Sequence, residues 1–122
     1  MRTYMFTISK DEWISSNGRY HHMVLANRVR LLREGAYWAA KGDTPIPHPV
    51  HVTAEIGYPT ARRADPPNAY PTVKALIDGL IDAQILPDDN SNIITKTSFT
   101  RSEIRAPKNC YTITIHIESK QP

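Results

Sequence analysis

Apolar and polar residues alternate from Arg2 to Ile8: Tyr4, Phe6 and Ile8 share one face, and Thr3, Met5 and Thr7 share the other. A period of two is the signature of a strand with one buried face. The alternation recurs over 50–57, with Val50, Val52, Ala54 and Ile56 inward and His51, Thr53 and Glu55 outward. Further strands are predicted over 93–99 and 110–118; in the latter, Tyr111, Ile113, Ile115 and Ile117 alternate with Cys110, Thr112, Thr114 and His116. Elsewhere the period becomes helical. Leu25, Val29, Leu32 and Ala36 predict a helix over 23–40 with that row toward the core and Arg30, Arg33, Tyr37 and Lys41 on another side. Val73, Leu76, Ile77, Leu80 and Ile81 form the stripe of a second helix starting near Pro71, where proline is tolerated because the first helical N–H has no partner to lose.

Turn chemistry separates these elements. Ser15-Ser16-Asn17-Gly18 marks 10–22 as a loop, and Gly42 suits the position just past the first helix. Residues 44–49, TPIPHP, hold three prolines in six residues and must be an extended connector. Residues 58–70 read as an irregular, proline-rich loop, and Ile85-Leu86-Pro87 ends the second helix. The polar, basic stretch between the last two strands suggests a hairpin. The order β-α-β-α-β-β predicts an α/β fold: a single small domain with two helices packed on a mixed sheet of about four strands. That domain is expected over 1–118, with 119–122 as a flexible tail. A chain of 122 residues can bury one core but not two.

Composition changes this picture little. Hydrophobic residues are 40% of the chain and charged ones 22%, as in ordinary globular proteins. No apolar run is long enough to span a bilayer, and the N-terminal MRTYMFTISKDEW is unlike a signal peptide, so the cytoplasm is the expected compartment. Cys110 stands alone, which excludes an intrachain disulfide, and the Cys and His spacings match no zinc framework. Charge is more informative. The net charge of +3 is modest, but Arg19, Arg28, Arg30, Arg33 and Lys41 cluster early and Arg62 and Arg63 follow. Lys96, Arg101, Arg105 and Lys108 come later, whereas acids gather at Asp78, Asp82, Asp88 and Asp89. Basic flanks around an acidic centre suit a polyanion held by its phosphates while carboxylates hold a metal; an unevenly charged solvated surface has the same pattern.

The stretch from Arg62 to Asp89 concentrates the candidate chemistry. Asp65 lies between Arg63 and Pro66-Pro67, Asn68 follows, Lys74 sits near the start of the second helix, and Asp88 and Asp89 come after its end. Phosphodiester hydrolysis needs a divalent cation to neutralise phosphate and acidify water, and Mg²⁺ takes a few carboxylate oxygens while keeping much of its own water. A nearby lysine can stabilise charge in the transition state. Asp65 and Asp89, with Asp88 and Asn68, could hold the metal, and Lys74 could serve the phosphate. By spacing alone, turn chemistry at Asp-Pro and an ordinary i,i+4 surface pair of Lys74 with Asp78 remain equally open.

The chain also resembles the RusA-type Holliday junction resolvases, especially their actinobacterial and phage branch. The resemblance is carried by Trp13-Ile14-Ser15-Ser16-Asn17-Gly18-Arg19 with His21-His22, the arginine-rich first helix and Arg62-Arg63-Ala64-Asp65-Pro66-Pro67-Asn68. It continues through Tyr70-Pro71-Thr72-Val73-Lys74, Asp78-Gly79-Leu80 and Leu86-Pro87-Asp88-Asp89. It implies a homodimeric endonuclease, dependent on Mg²⁺ or Mn²⁺, that resolves four-way DNA junctions by paired nicks in recombination or repair. Asp65 then matches the first acid of an Asp-x-Asp-Asn loop, Asn68 its Asn, and Asp89 the later essential acid with Asp88 beside it. Lys74 matches the catalytic lysine if three residues are inserted before it. Pro67 stands where the second acid is expected; Asn68, Asp88 or Glu55 could replace that ligand. The alternative is a non-catalytic binder of branched or single-stranded DNA that lost cleavage through Pro67.

Other residues admit two readings each. Asn17, Arg19, Arg28, Arg30, Arg33, Arg62 and Arg63 are the candidate DNA contacts, against a plain solvated basic face. His21 and His22 could touch phosphate or metal but suit an exposed loop equally. Trp13 and Trp38 could stack on bases or simply pack. Cys110 reads as a small buried hydrophobe.

Overall fold

The computed structural model describes all residues from Met1 to Pro122. In chain order the elements are β1 (Arg2–Ser9), α1 (His22–Ala40), β2 (Val50–Gly57), a 3-10 turn (Pro66–Ala69), α2 (Tyr70–Asp82), β3 (Ile94–Arg101) and β4 (Cys110–Ser119). The fold is α/β: two helices and one mixed four-stranded sheet. Its strand order is β1-β4-β2-β3, with β4 antiparallel to both β1 and β2, and β3 parallel to β2.

The alternation read from the sequence sets the register. Tyr4 lies opposite Ile115, which lies opposite Ala54; Phe6 and Ile56 both flank Ile113. All of these point to one face, where, with Phe6 part-buried at its margin, they join Leu32, Ala36, Val73, Leu76 and Leu80 of the helices in a single core of 22 buried residues. Ile113, Ile115 and Ile117 are essentially inaccessible, and burying each stabilises the fold by about 1.5–3 kcal/mol. The opposite face carries shorter and polar groups, among them Thr3, Thr53, Glu55 and His116, and Met5 there is exposed.

Three expectations are corrected. The last two strands do not form a hairpin. β3 is the polar edge strand, reached from β2 through α2 in a parallel crossover, and β4 is interior. The difference is physical: the isoleucines of β4 need neighbours on both sides, whereas Thr95, Lys96 and Thr97 suit a sheet edge. Leu25 is exposed rather than core-facing, because the first turns of α1 project past the sheet; burial begins in earnest at Leu32. The chain is also ordered beyond 118. Ser119 completes β4 and donates its hydroxyl to Pro47 O at 2.7 Å, and the Lys120 N–H donates to Pro49 O at 2.8 Å.

The helices start and stop for local reasons. His21 caps α1, its Nδ1 accepting the Met23 N–H at 3.2 Å. Gly42 follows the end of α1 at φ +88°, a left-handed conformation that glycine adopts without strain. Where α1 crosses α2, Gly79 permits near contact of the backbones: a Cβ there would collide with the Arg33 carbonyl oxygen and lie 2.7 Å from Ala36 Cβ. Across the same crossing Arg33 grips Asp82 with two hydrogen bonds, 2.5 and 2.8 Å. Both side chains are part-exposed, so the pair adds less than about 1 kcal/mol and fixes the angle more than it stabilises.

Gly79→Ala is therefore expected to destabilise the protein by about 1–3 kcal/mol through overpacking, despite alanine's better helix propensity. Urea unfolding at constant slope measures it; an unchanged or higher midpoint contradicts the close crossing.

Candidate functional site

The loop 10–21 is not free. Thr72, in the first turn of α2 and fully buried, accepts the Ile14 N–H through its Oγ1 at 2.9 Å and donates the same hydroxyl to Ile14 O at 2.8 Å. Next along, the Ser16 N–H donates to Asn68 O at 2.9 Å. Arg28 reaches back from α1 to donate to Trp13 O at 2.7 Å, with its guanidinium over the Tyr20 ring, and the Tyr20 hydroxyl accepts the Ser15 N–H at 3.1 Å. The N-terminal loop is thereby laid against the turn that enters α2.

A cleft of about 610 Å³ opens where these pieces meet. It lies at the end of the sheet where the parallel strands β2 and β3 terminate, the place where open α/β sheets bind ligands. Asn17 and Ser15 come from the first loop; Arg62, Arg63, Asp65 and Asn68 come from the loop after β2. Its apolar wall is aromatic. Trp13 and Tyr111 are stacked, centroids 4.1 Å apart and planes 11° from parallel, and Tyr58 meets Tyr111 edge-on at 6.0 Å. Arg101, at the end of β3, lies over the Tyr58 ring and donates to the carbonyls of Arg62 and Thr60, which fixes the path of that loop. Burial raises the Tyr58 pKa, against the pull of Arg101 and with help from Tyr111 and Asp65, so the phenol stays neutral.

The second group flanks α2. Lys74 Nζ lies 2.6 Å from Asp78 Oδ1 and 2.6 Å from Asp89 Oδ2. Asp89 is in turn fixed by Asp88, whose Oδ1 accepts the Asp89 N–H at 2.7 Å while its Oδ2 accepts the Asn90 amide at 3.1 Å. Burial works against the Lys74 charge, but the hydrogen bonds to Asp78 and Asp89 outweigh it and the pKa rises. The hydrogen bond from Lys74 is the main cause that holds the Asp89 carboxyl below its usual range, against a smaller opposing effect of burial.

The structure thus sorts the predicted residues into two sets. Asp65 and Asn68 line the cleft with Asn17, Arg62 and Arg63; Lys74, Asp88 and Asp89 gather on the flank of α2, Asp88 and Asp89 in the loop between α2 and β3. No three His, Cys, Asp or Glu side chains converge as a metal cluster, so Asp65, Asp88 and Asp89 are not brought together as one ligand set. Glu55 cannot replace the acid missing at Pro67. It projects from the opposite face of the sheet and pairs with His116 Nε2 at 3.1 Å. Of the α1 arginines, Arg28 bonds to Trp13 O, Arg33 pairs with Asp82 while staying part-exposed, and Arg30 is engaged with Glu34 and Asn27. Arg19 is exposed, and His21 serves as a helix cap. Trp38 is exposed on α1 beneath Lys41, away from the cleft residues.

Residue patterns missed Ser15, Tyr58 and Tyr111 as cleft residues, while the i,i+4 pair of Lys74 with Asp78 that they allowed is formed. Tyr58 and Tyr111 each sit at a strand terminus, which puts them at the cleft end of the sheet once its order is known. No helix is long and apolar enough to cross a membrane. No protein-family model matches the chain, and no curated protein matches it either.

Two outcomes follow. Thr72→Val should orphan the buried N–H and C=O of Ile14, at about 1–3 kcal/mol for each group, whereas Thr72→Ser keeps the hydroxyl and loses only a methyl, about 1 kcal/mol; equal urea midpoints for the two variants would remove the staple from the account. For Asp89 the folded pKa is depressed, so its contribution is present above the ordinary carboxylate value of 3.8 and is lost as pH falls through the lower folded value. Following the Asp89 carboxyl carbon by NMR, Lys74→Met should move its midpoint upward; an unmoved midpoint contradicts the ion pair.

Proposed function

We propose that the chain is a metal-dependent endonuclease for branched DNA, of the RusA type that its sequence resembles, working as a homodimer on four-way junctions. What supports the reading is that one helix, α2, organises every candidate group. The turn that enters it carries Asp65 and Asn68, its second turn carries Lys74, and the loop that leaves it returns Asp89 to 2.6 Å from that lysine.

The donor chemistry fits a hydrated Mg²⁺, or Mn²⁺, on the cleft wall. Asp65 offers a carboxylate and Asn68 an amide oxygen, hard donors of the kind Mg²⁺ takes in ones and twos while keeping its waters. A metal held there would neutralise the scissile phosphate and lower the pKa of an attacking water. Arg62 and Arg63 meet neighbouring phosphates, with Asn17 and Arg19 extending that surface along the first loop. Lys74 supplies a positive charge to the phosphate in the transition state, and Asp89, itself steadied by Asp88, sets where that ammonium stands. A second reading, a binder that does not cut, is favoured by one observation: Pro67, second in the 3-10 turn, stands where the resemblance places an acid, and the structure gathers no third carboxylate in its stead.

The test is a labelled synthetic four-way junction with Mg²⁺. Expected are paired nicks on opposing strands, abolished by EDTA and by Asp65→Asn or Asp89→Asn, and slowed on the order of 10²–10³-fold by Lys74→Ala. Junction binding by the parent protein with no nicks in Mg²⁺ or Mn²⁺ would sink the enzyme in favour of the binder.

A further inference from the structure

The aromatic wall of the cleft has no role in phosphodiester hydrolysis. Trp13, Tyr58 and Tyr111 come from three separate segments, and all three are only part-buried where they line the cleft. Around them stand five polar side chains, of Asn17, Arg62, Arg63, Asp65 and Asn68, that make no hydrogen bond or ion pair inside the chain; only backbone groups of Asn17, Arg62, Asp65 and Asn68 are bonded. Some surface charges elsewhere are paired internally, as at Arg33–Asp82 and Lys74–Asp89, and others, such as Lys96 and Lys108, are solvated. The cleft therefore couples an aromatic wall, the Trp13–Tyr111 stack with Tyr58 edge-on to it, to amide edges carrying both donors and acceptors, with cations at the rim.

Resting on the DNA reading above, we propose that this cleft is a subsite for one unstacked nucleotide of the DNA. The base lies against the Trp13–Tyr111–Tyr58 wall, the amides of Asn17 and Asn68 meet its hydrogen-bonding edge, and Arg62 and Arg63 take the flanking phosphates. Size and chemistry agree. About 610 Å³ lies within the range of small-ligand sites, roughly 300–1,000 Å³. A planar base gains most from aromatic contact, and that gain tolerates any sequence because every base has a π-face. Asn and Gln amides match base edges in both donor and acceptor. Duplex DNA cannot present a base this way without unpairing, so the subsite favours substrates in which bases are already unstacked, such as the crossover of a branched molecule or a single strand. The selectivity for branched over linear duplex DNA is thereby assigned to the N-terminal loop and the start of β4, not to the acidic groups.

The experiment uses Trp38→Phe protein, in which Trp13 is the sole tryptophan reporter, in EDTA so that no cutting occurs. A short single-stranded oligonucleotide should quench Trp13 emission. An abasic strand of the same length and charge should leave emission unchanged and bind about tenfold or more weakly, the effect of roughly one lost stacked base. Asn17→Ala and Tyr58→Leu, each checked for an unchanged melting profile, should narrow the gap between the two strands without weakening the abasic one. Equal affinity for the two strands, binding that leaves Trp13 emission unaltered, or no binding of either overturns the subsite. Because metal is absent, the result is independent of the junction assay: nicking without base dependence refutes the subsite and keeps the endonuclease, whereas quenching without nicking keeps the subsite in a non-cutting binder.

Discussion

The hydroxyl of Thr72 is bonded twice to the same peptide segment, accepting from Ile14 N and donating to Ile14 O, in a place that solvent does not reach. A loop and a helix start that are 58 residues apart in the chain are thereby held at hydrogen-bonding distance. Much else is downstream of that contact. Trp13 can stack on Tyr111 only because Ile14 is anchored, and Asn17 can face Asn68 only because Ser16 is bonded to the Asn68 carbonyl. Arg28 adds a third tie from α1. The cleft is a consequence of three hydrogen-bonded crossings between segments and not a feature of any one of them.

Electrostatics divides the molecule along the same lines. On the α2 flank, charges are satisfied internally and the Asp89 carboxyl is pulled low by the Lys74 ammonium. In the cleft, an acid and two arginines are held by backbone geometry without neutralising one another. Arg101 is the device that achieves this: its guanidinium is spent on carbonyls and a ring, so the loop is braced without touching Asp65. Groups braced but unpaired are the ones left to meet something outside the chain.

Much of the architecture was legible in the sequence. Period-two alternation placed β1, β2 and β4 to within a residue or so, β3 was expected to within two residues, and most of the apolar stripe of α2 is buried. Strand order was not legible, because alternation says which face is buried and says nothing about lateral neighbours; only the full burial of Ile113, Ile115 and Ile117 marks β4 as interior. The acids and amide of the candidate site were visible as a local string, Asp65 to Asp89. Their division between a cleft and a helix flank was not, since it depends on the path of the loop after α2. Helical spacing does not reveal a partner on another segment, so the bonds of Arg28 to Trp13 O and of Arg33 to Asp82 were not legible. The cleft's aromatic wall escaped for the same reason: its three rings lie in three segments, and chain order gives no hint of their meeting.

The interior position of β4 bears on how the protein is made. A ribosome delivers β1, α1, β2, α2 and β3 before it delivers residues 110–119, yet β1 has no strand neighbour other than β4. During synthesis the β2–α2–β3 crossover can form by itself, while the first strand and the loop behind it wait with Tyr4, Phe6 and Ile8 uncovered. Strand insertion between β1 and β2 is then the closing event, and until it occurs neither Tyr111 nor its stacking with Trp13 exists. The cleft end of the sheet thus cannot close before β4 has been delivered, and a nascent chain that lacks it has no complete cleft.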